Sequence, residues 1–108
     1  MANFETSLTN LQRVTGTVVI ADAQGGAVPV TGLTANQTSG DATISMTAKD
    51  GTQLPVEKFA VISGANAGDS TWDLAILTAV RTVQATVTAH VVDGTFSVSI
   101  TFDAPEDK

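Results

Sequence analysis

The sequence predicts an all-β protein, most simply an antiparallel sandwich of about seven short strands, with a barrel as the alternative. The chain has 108 residues, which is one small domain's length. It is rich in Thr, Val and Ala, and β-branched side chains favour a pleated, half-buried sheet. Runs of alternating apolar and polar residues are separated by turn-forming residues about every 8–12 positions, which is the spacing typical of a sandwich.

Residues 1–13 are predicted to form an N-terminal arm outside the sandwich. Phe4, Leu8 and Leu11 are spaced as i, i+4 and i+7, as on one face of a short helix that begins after Asn3. The same spacing also suits an extended arm that packs on a neighbouring molecule. The sequence leaves both alternatives open.

Alternation between apolar and polar residues predicts the middle strands. A first strand covers residues 14–21, and a second near Pro29 suits a sheet edge because proline has no N–H to donate. A third covers residues 42–48 and ends at a turn. Beyond that turn the alternation changes parity near residues 57–58, which predicts a bulge or a crossing between sheets.

Trp72 begins the next apolar run, and its neighbours Leu74 and Ile76 indicate a strand near the middle of the core. A lone Trp after a Gly-rich loop, here residues 64–70, could instead stack on a sugar or insert into a partner. Core placement is the commoner role of such a Trp. Trp72 and the loop residue Asp69 are the candidate ligand or surface contacts.

The clearest pattern is a β-hairpin around Asp93-Gly94. Asp-Gly between two alternating runs favours a type I′ turn, which needs positive φ at both central residues. A two-residue loop pairs apolar residues with apolar residues and puts the polar ones on the opposite face. The core of this predicted hairpin consists of Val87 opposite Ile100 and Val91 opposite Phe96.

Charge and residue usage argue against several classes of function. Five basic and eleven acidic residues give a net charge of −6, and the basic residues are scattered, so we expect no nucleic-acid partner. The chain has no Cys, which excludes disulfides, thiolate catalysis and thiolate metal sites. The acidic residues lie mostly beside turns, without the close spacing of a Ca²⁺ site, so we expect no metal and no other cofactor.

The sequence also gives no reason to expect a membrane partner or an export signal. Its start lacks the basic and apolar regions of a signal peptide, and no apolar run approaches the ~20 residues that cross a bilayer. We expect the protein to fold where it is made.

His90 is the sole histidine and the one candidate general base. A catalytic imidazole needs a pocket and an orienting partner, and the predicted hairpin places His90 on the polar face opposite Ser97. We interpret it as a solvated strand residue. No catalytic residues and no enzymatic activity are expected.

Two segments resemble bacterial immunoglobulin-like (Big-type) domains. Residues 22–30, Asp-Ala-Gln-Gly-Gly-Ala-Val-Pro-Val, look like the turn and strand "DANGNPVPV" of these domains, and residues 85–102 look like their last two strands. The likeness covers residues 14–103. It implies an immunoglobulin-like antiparallel β-sandwich of about seven strands. Residues 104–108, Ala-Pro-Glu-Asp-Lys, are expected to form a flexible acidic tail, because chain ends are commonly frayed.

Small free-standing domains of this type occur as structural proteins of tailed bacteriophages, including capsid decoration proteins. The resemblance therefore implies a non-enzymatic virion protein, made in the host cytoplasm, that acts by multivalent protein–protein contact. Its partner would be a capsid or other virion protein, with Phe4, Leu8 and Leu11 as anchors, and it could form a homo-oligomer. The alternative is a carbohydrate- or host-surface-binding adhesion module that uses Trp72 and the 64–70 loop.

Overall fold

The computed structural model describes residues 2–94 and 99–108, and within these ranges the protein is all-β with no helix. This confirms the prediction that the protein is all-β. Nine strands are present in the described residues: β1 (Ala2–Thr9), β2 (Arg13–Thr17), β3 (Ile20–Ala21), β4 (Ala27–Val28), β5 (Val30–Ser39), β6 (Thr43–Ser45), β7 (Lys58–Ile62), β8 (Gly68–Thr78) and β9 (Thr82–Val92).

The largest sheet has four strands in the order β1-β9-β8-β5. β8 is antiparallel to both β5 and β9, whereas β1 is parallel to β9. β8 and β9 have 11 residues each, and every second residue is buried from Ser70 to Ile76 and from Ala85 to Val91. Their period-2 alternation puts the apolar residues on one face and the polar residues on the other.

A second sheet has three strands in the order β2-β7-β6, all antiparallel, and the short strands β3 and β4 form a separate pair. Phe59 and Val61 of β7 are buried against the four-stranded sheet. Both sheets therefore share one core, in a β-sandwich-like arrangement. The buried apolar residues of this core are Leu8, Ala42, Phe59, Val61, Trp72, Leu74, Ile76, Ala85, Val87, Ala89 and Val91.

The connection from β5 to β6 carries the chain from one sheet to the other. Gly40 in this connection has φ +87°, and a Cβ there would clash with the Ser70 side chain, so no other residue fits. Ser70 Oγ accepts a hydrogen bond from the buried Ala42 N–H at 3.1 Å. The Gln37 side chain donates to the carbonyl oxygens of Gly40 and Ala42, both at 2.8 Å. This crossing is thus fixed by specific hydrogen bonds.

The predicted turn after the first strand is present. The Asp22 carboxylate accepts hydrogen bonds from the N–H groups of Gln24 and Gly26, and Gly25 has φ +82°. This Asx-type turn joins β3 to β4. Pro29 separates β4 from β5, and the change of parity near residues 57–58 corresponds to a turn immediately before β7.

The N-terminal segment is neither a helix nor an arm separate from the sandwich. Residues 2–9 form β1, which pairs with β9 over its whole length and places Leu8 in the core at 5% exposure. The predicted boundary at residue 13, between an arm and the sandwich, therefore does not match the observed sheet, which includes residues 2–9. The spacing of Phe4, Leu8 and Leu11 suggested a helix, but in β1 it is the even positions that face inward, which includes Phe4 and Leu8 and leaves out Leu11.

The predicted pairing of Val87 with Ile100 does not form. Val87 lies between Trp72 on β8 and Phe4 on β1, because the parallel strand β1 occupies the edge that the hairpin would need. Ile100 is in no strand and is 71% exposed. Val87 and Val91 are buried, whereas Phe96 and Ser97 lie outside the described residues. The alternation gave the buried face of β9 correctly but not its neighbour.

Candidate functional site

An open apolar groove runs along the side of the molecule where β1 and β2 form the edges of the two sheets. Its volume is about 570 Å³. The floor consists of core side chains from three strands: Phe59 and Val61 of β7, Leu74 and Ile76 of β8, and Val83, Ala85 and Val87 of β9. All of these side chains except Val83 are at most 7% exposed, so the groove lies over a floor that is itself buried.

The two rims of the groove come from different sheets. Ala2, Phe4 and Thr6 of β1 form one rim, and residues 14–21 of β2, β3 and the link between them form the other. Phe4 is 59% exposed and Val19 is 83% exposed, so large apolar side chains stand at the opening.

Gly16 brings the β2 rim close to the floor. A Cβ at this position would lie 2.8 Å from Cζ of Phe59, so the aromatic ring packs directly on the β2 backbone. A glycine inside a strand commonly marks such a close approach. The ring of Phe59 is thereby held under the groove.

The composition of the groove determines which ligands suit it. Among the described residues that line it, Glu5 is the one charged side chain. An apolar concave site of this volume fits small apolar ligands or the side chains of an apolar peptide. Because its rims are sheet edges, backbone N–H and C=O groups also lie beside it, and these favour an extended peptide.

A second cluster lies on the outer face of the four-stranded sheet. His90 of β9 bonds through Nδ1 to Asp69 Oδ1 of β8 at 2.7 Å and through Nε2 to Glu5 Oε1 of β1 at 3.1 Å. The hydrogen bond to Asp69 raises the pKa of His90 above its ordinary value, and the bond to Glu5 adds to the effect.

This His90 cluster links three neighbouring strands. The imidazole side chain is 37% exposed, and the two carboxylates are more exposed still. Because both ring nitrogens are bonded, neither is available to take a proton from a substrate in this arrangement. The cluster attaches β1 to the sheet.

The structure separates the three predicted anchoring residues. Phe4 lies at the groove rim, Leu8 is buried in the core, and Leu11 is 72% exposed in the turn after β1, outside the groove. Of the three, Phe4 alone combines exposure with a position at the groove.

The proposed ligand contacts are also separated. Trp72 is 2% exposed, so its indole ring is not available to stack on a sugar. Asp69 is exposed at the start of β8, but its carboxylate is bonded to His90. The structure thus removes the stacking residue on which the carbohydrate-binding alternative depended.

The groove itself was not predicted from the sequence. Residues 14–21 indicated one continuous strand, whereas β2 ends at Thr17 and β3 begins at Ile20. The adjacent Val18 and Val19 interrupt the alternation of apolar and polar residues. This interruption is the one local feature of the sequence that indicates the groove rim. Glu5 and Asp69 gave no local signal, because they meet His90 through long-range strand pairing.

Comparison with protein-family models, with curated proteins and with solved structures found no match. Within residues 2–94 and 99–108, no helix is long and apolar enough to cross a membrane. The same described residues contain no group of three or more His, Asp or Glu side chains arranged to hold a metal ion.

Proposed function

We propose that this chain is a non-enzymatic structural protein that binds other proteins through its apolar groove, and that it serves as a capsid decoration or surface module of a virion. The observation that carries the proposal is the uncovered groove between β1 and β2. Apolar patches that remain open on a folded chain commonly mark interaction sites.

The strand order supports an immunoglobulin-like sandwich. When β1, β2, β5, β6, β7, β8 and β9 are labelled A to G, the two sheets contain B-E-D and C-F-G in that order. These are the neighbours of the constant-type immunoglobulin fold. Strand A lies beside G here, which moves it away from B and opens the groove between the two edges.

The energetics suit a repetitive surface. Burial of one large apolar side chain contributes about 1.5–3 kcal/mol, so a groove that takes two side chains binds weakly on its own. Many copies on a regular lattice convert such weak contacts into durable attachment. This is the mechanism by which we expect a decoration protein of this size to act.

Fractionation of virions tests the proposal. Particles purified by density gradient from the source of this sequence should contain the chain in many copies, measured by quantitative mass spectrometry against the major capsid protein. Replacement of Phe4 by Asp should reduce the copy number at least about tenfold, because a charge at the rim opposes apolar burial.

Leu11→Asp is the matched control, since Leu11 is exposed and lies outside the groove. It should leave the copy number unchanged. Absence of the wild-type chain from purified particles contradicts the virion assignment, and equal loss in both variants contradicts the role of the groove.

A further inference from the structure

The C-terminal segment carries two large apolar side chains that are mostly exposed to solvent. Within residues 99–103, Ser-Ile-Thr-Phe-Asp, Ile100 is 71% exposed and Phe102 is 91% exposed. They are two residues apart, so in an extended chain both side chains point to the same face. Its alternation of polar and apolar residues is typical of a half-buried strand, yet its two apolar side chains are exposed to solvent.

This segment follows β9, which is an inner strand of the four-stranded sheet. β9 is paired on both sides, with β8 and with β1, so it offers no edge to the residues that follow it. Gly94 is held at the end of β1, where its N–H donates to Asn10 Oδ1 at 2.9 Å and its backbone packs on Thr9. The chain therefore leaves the sheet at the end of β1 that is remote from Ala2 and Phe4.

We propose that the groove between β1 and β2 accepts residues 99–103 of a second copy of this chain, with Ile100 and Phe102 as the inserted side chains. The inference rests on the proposed function, in which the groove is a protein-binding surface, and it names the partner. Among the described residues, β1 pairs on one side only, so the incoming segment can add to its free edge.

The two elements complement each other in chemistry. The groove has an apolar floor and open sheet edges, and the segment supplies two large apolar side chains on an extended backbone. Ile100 lies six positions after Gly94, which corresponds to at most about 20 Å of extended chain. Each copy has one segment and one groove, so exchange produces a symmetric dimer or a longer chain of copies.

Complementation between two variants tests the proposal. Ile100→Asp/Phe102→Asp disables the segment and keeps the groove, whereas Phe4→Asp disables the groove rim and keeps the segment. In sedimentation-velocity experiments over a micromolar concentration series, wild-type chain should form dimers or longer assemblies. Each variant alone should associate at least about tenfold more weakly.

An equimolar mixture of the two variants should again associate, because one intact groove then meets one intact segment. Val80→Asp is the control, since Val80 is 81% exposed at the turn after β8 and does not line the groove. It should behave as wild type. Circular dichroism of each variant shows whether its fold is retained.

Three results overturn the proposal: a wild-type chain that is monomeric throughout, a segment variant that associates as wild type does, or a folded mixture that stays monomeric. A chain that is present on virions but monomeric in solution refutes this inference and leaves the proposed function standing. A chain that associates through the segment but is absent from virions supports this inference and contradicts the virion assignment.

Discussion

The two ends of β1 have the same alternation of inward-facing and outward-facing residues, but their inward-facing apolar side chains differ in solvent exposure. Leu8 and Phe4 face the same side of the sheet, beside Val91 and Val87 respectively, yet Leu8 is 5% exposed and Phe4 is 59% exposed. At the Leu8 end, the chain turns into β2 and joins the two sheets. At the Phe4 end, nothing described covers the space between them.

Hydrogen bonds explain why the Leu8 end is closed. The turn after β1 is fixed by the Thr9 N–H, which donates to Gln12 Oε1 at 2.9 Å, and by both the N–H and the hydroxyl of Ser63, which donate to the Gln12 carbonyl. These bonds hold the two sheets together at this end. Alternation therefore determines which face of a strand is turned inward, whereas a covering element determines whether that face is buried.

The largest effect is expected at the closed centre of the sandwich. Trp72→Ala should lower the free energy of unfolding by about 3–5 kcal/mol, because the ring is 2% exposed and its loss leaves a cavity between the sheets. Chemical denaturation followed by circular dichroism measures this. A change below about 1 kcal/mol would mean that the centre is no better packed than the groove.

The two ends of β1 provide the direct test of the comparison. Leu8→Ala should cost about 2–5 kcal/mol, whereas Phe4→Ala should cost less than about 1 kcal/mol, since the phenyl ring is already largely in water. Both changes are best measured by denaturation in the Ile100→Asp/Phe102→Asp background, where self-association does not add to stability. Equal costs would show that the groove is closed in solution.

The comparison also shows how far the sequence could predict the fold. Period-2 alternation identified β8 and β9, their buried faces and the central place of Trp72, because each of these depends on local residue order. β5 was missed from Thr31 to Ser39. This edge strand is mostly exposed and polar, so it carries no apolar alternation.

The partners of the strands could not be predicted in the same way. The predicted hairpin at Asp93-Gly94 and the observed parallel pairing with β1 both place apolar residues beside the inward-facing residues of β9. The local residue pattern therefore does not distinguish between these two partners. The groove and the His90 cluster both follow from the position of β1. The candidate site could therefore not be predicted from local pattern, since it depends on the pairing of β1 with β9, between residues more than 80 positions apart.

The His90 cluster gives the smallest expected effect and tests how firmly β1 is attached. Titration of the imidazole by NMR should give a pKa above the ordinary value of about 6.5. Asp69→Asn should lower this pKa more than Glu5→Gln does, because the bond to Asp69 is the larger cause of the shift. A wild-type pKa at or below the ordinary value would show that the two hydrogen bonds do not persist in solution.

The same shift makes the attachment of β1 dependent on pH, with a definite sign. A group whose pKa is raised by folding stabilises the protein fully below its unfolded pKa, and this contribution is lost as the pH rises through the folded pKa. The excess stability of wild type over His90→Gln should therefore be larger at about pH 5.5, where Asp and Glu remain ionised, than at about pH 8.5. Because the cluster is exposed, high salt should weaken the difference. Hydrogen exchange of the β1 amides at both pH values, corrected for intrinsic exchange rates, locates the effect. In wild type the β1 amides should be less protected at high pH, whereas in His90→Gln their protection should not depend on pH. This result would show that the His90 cluster stabilises β1, the strand that also forms one rim of the groove.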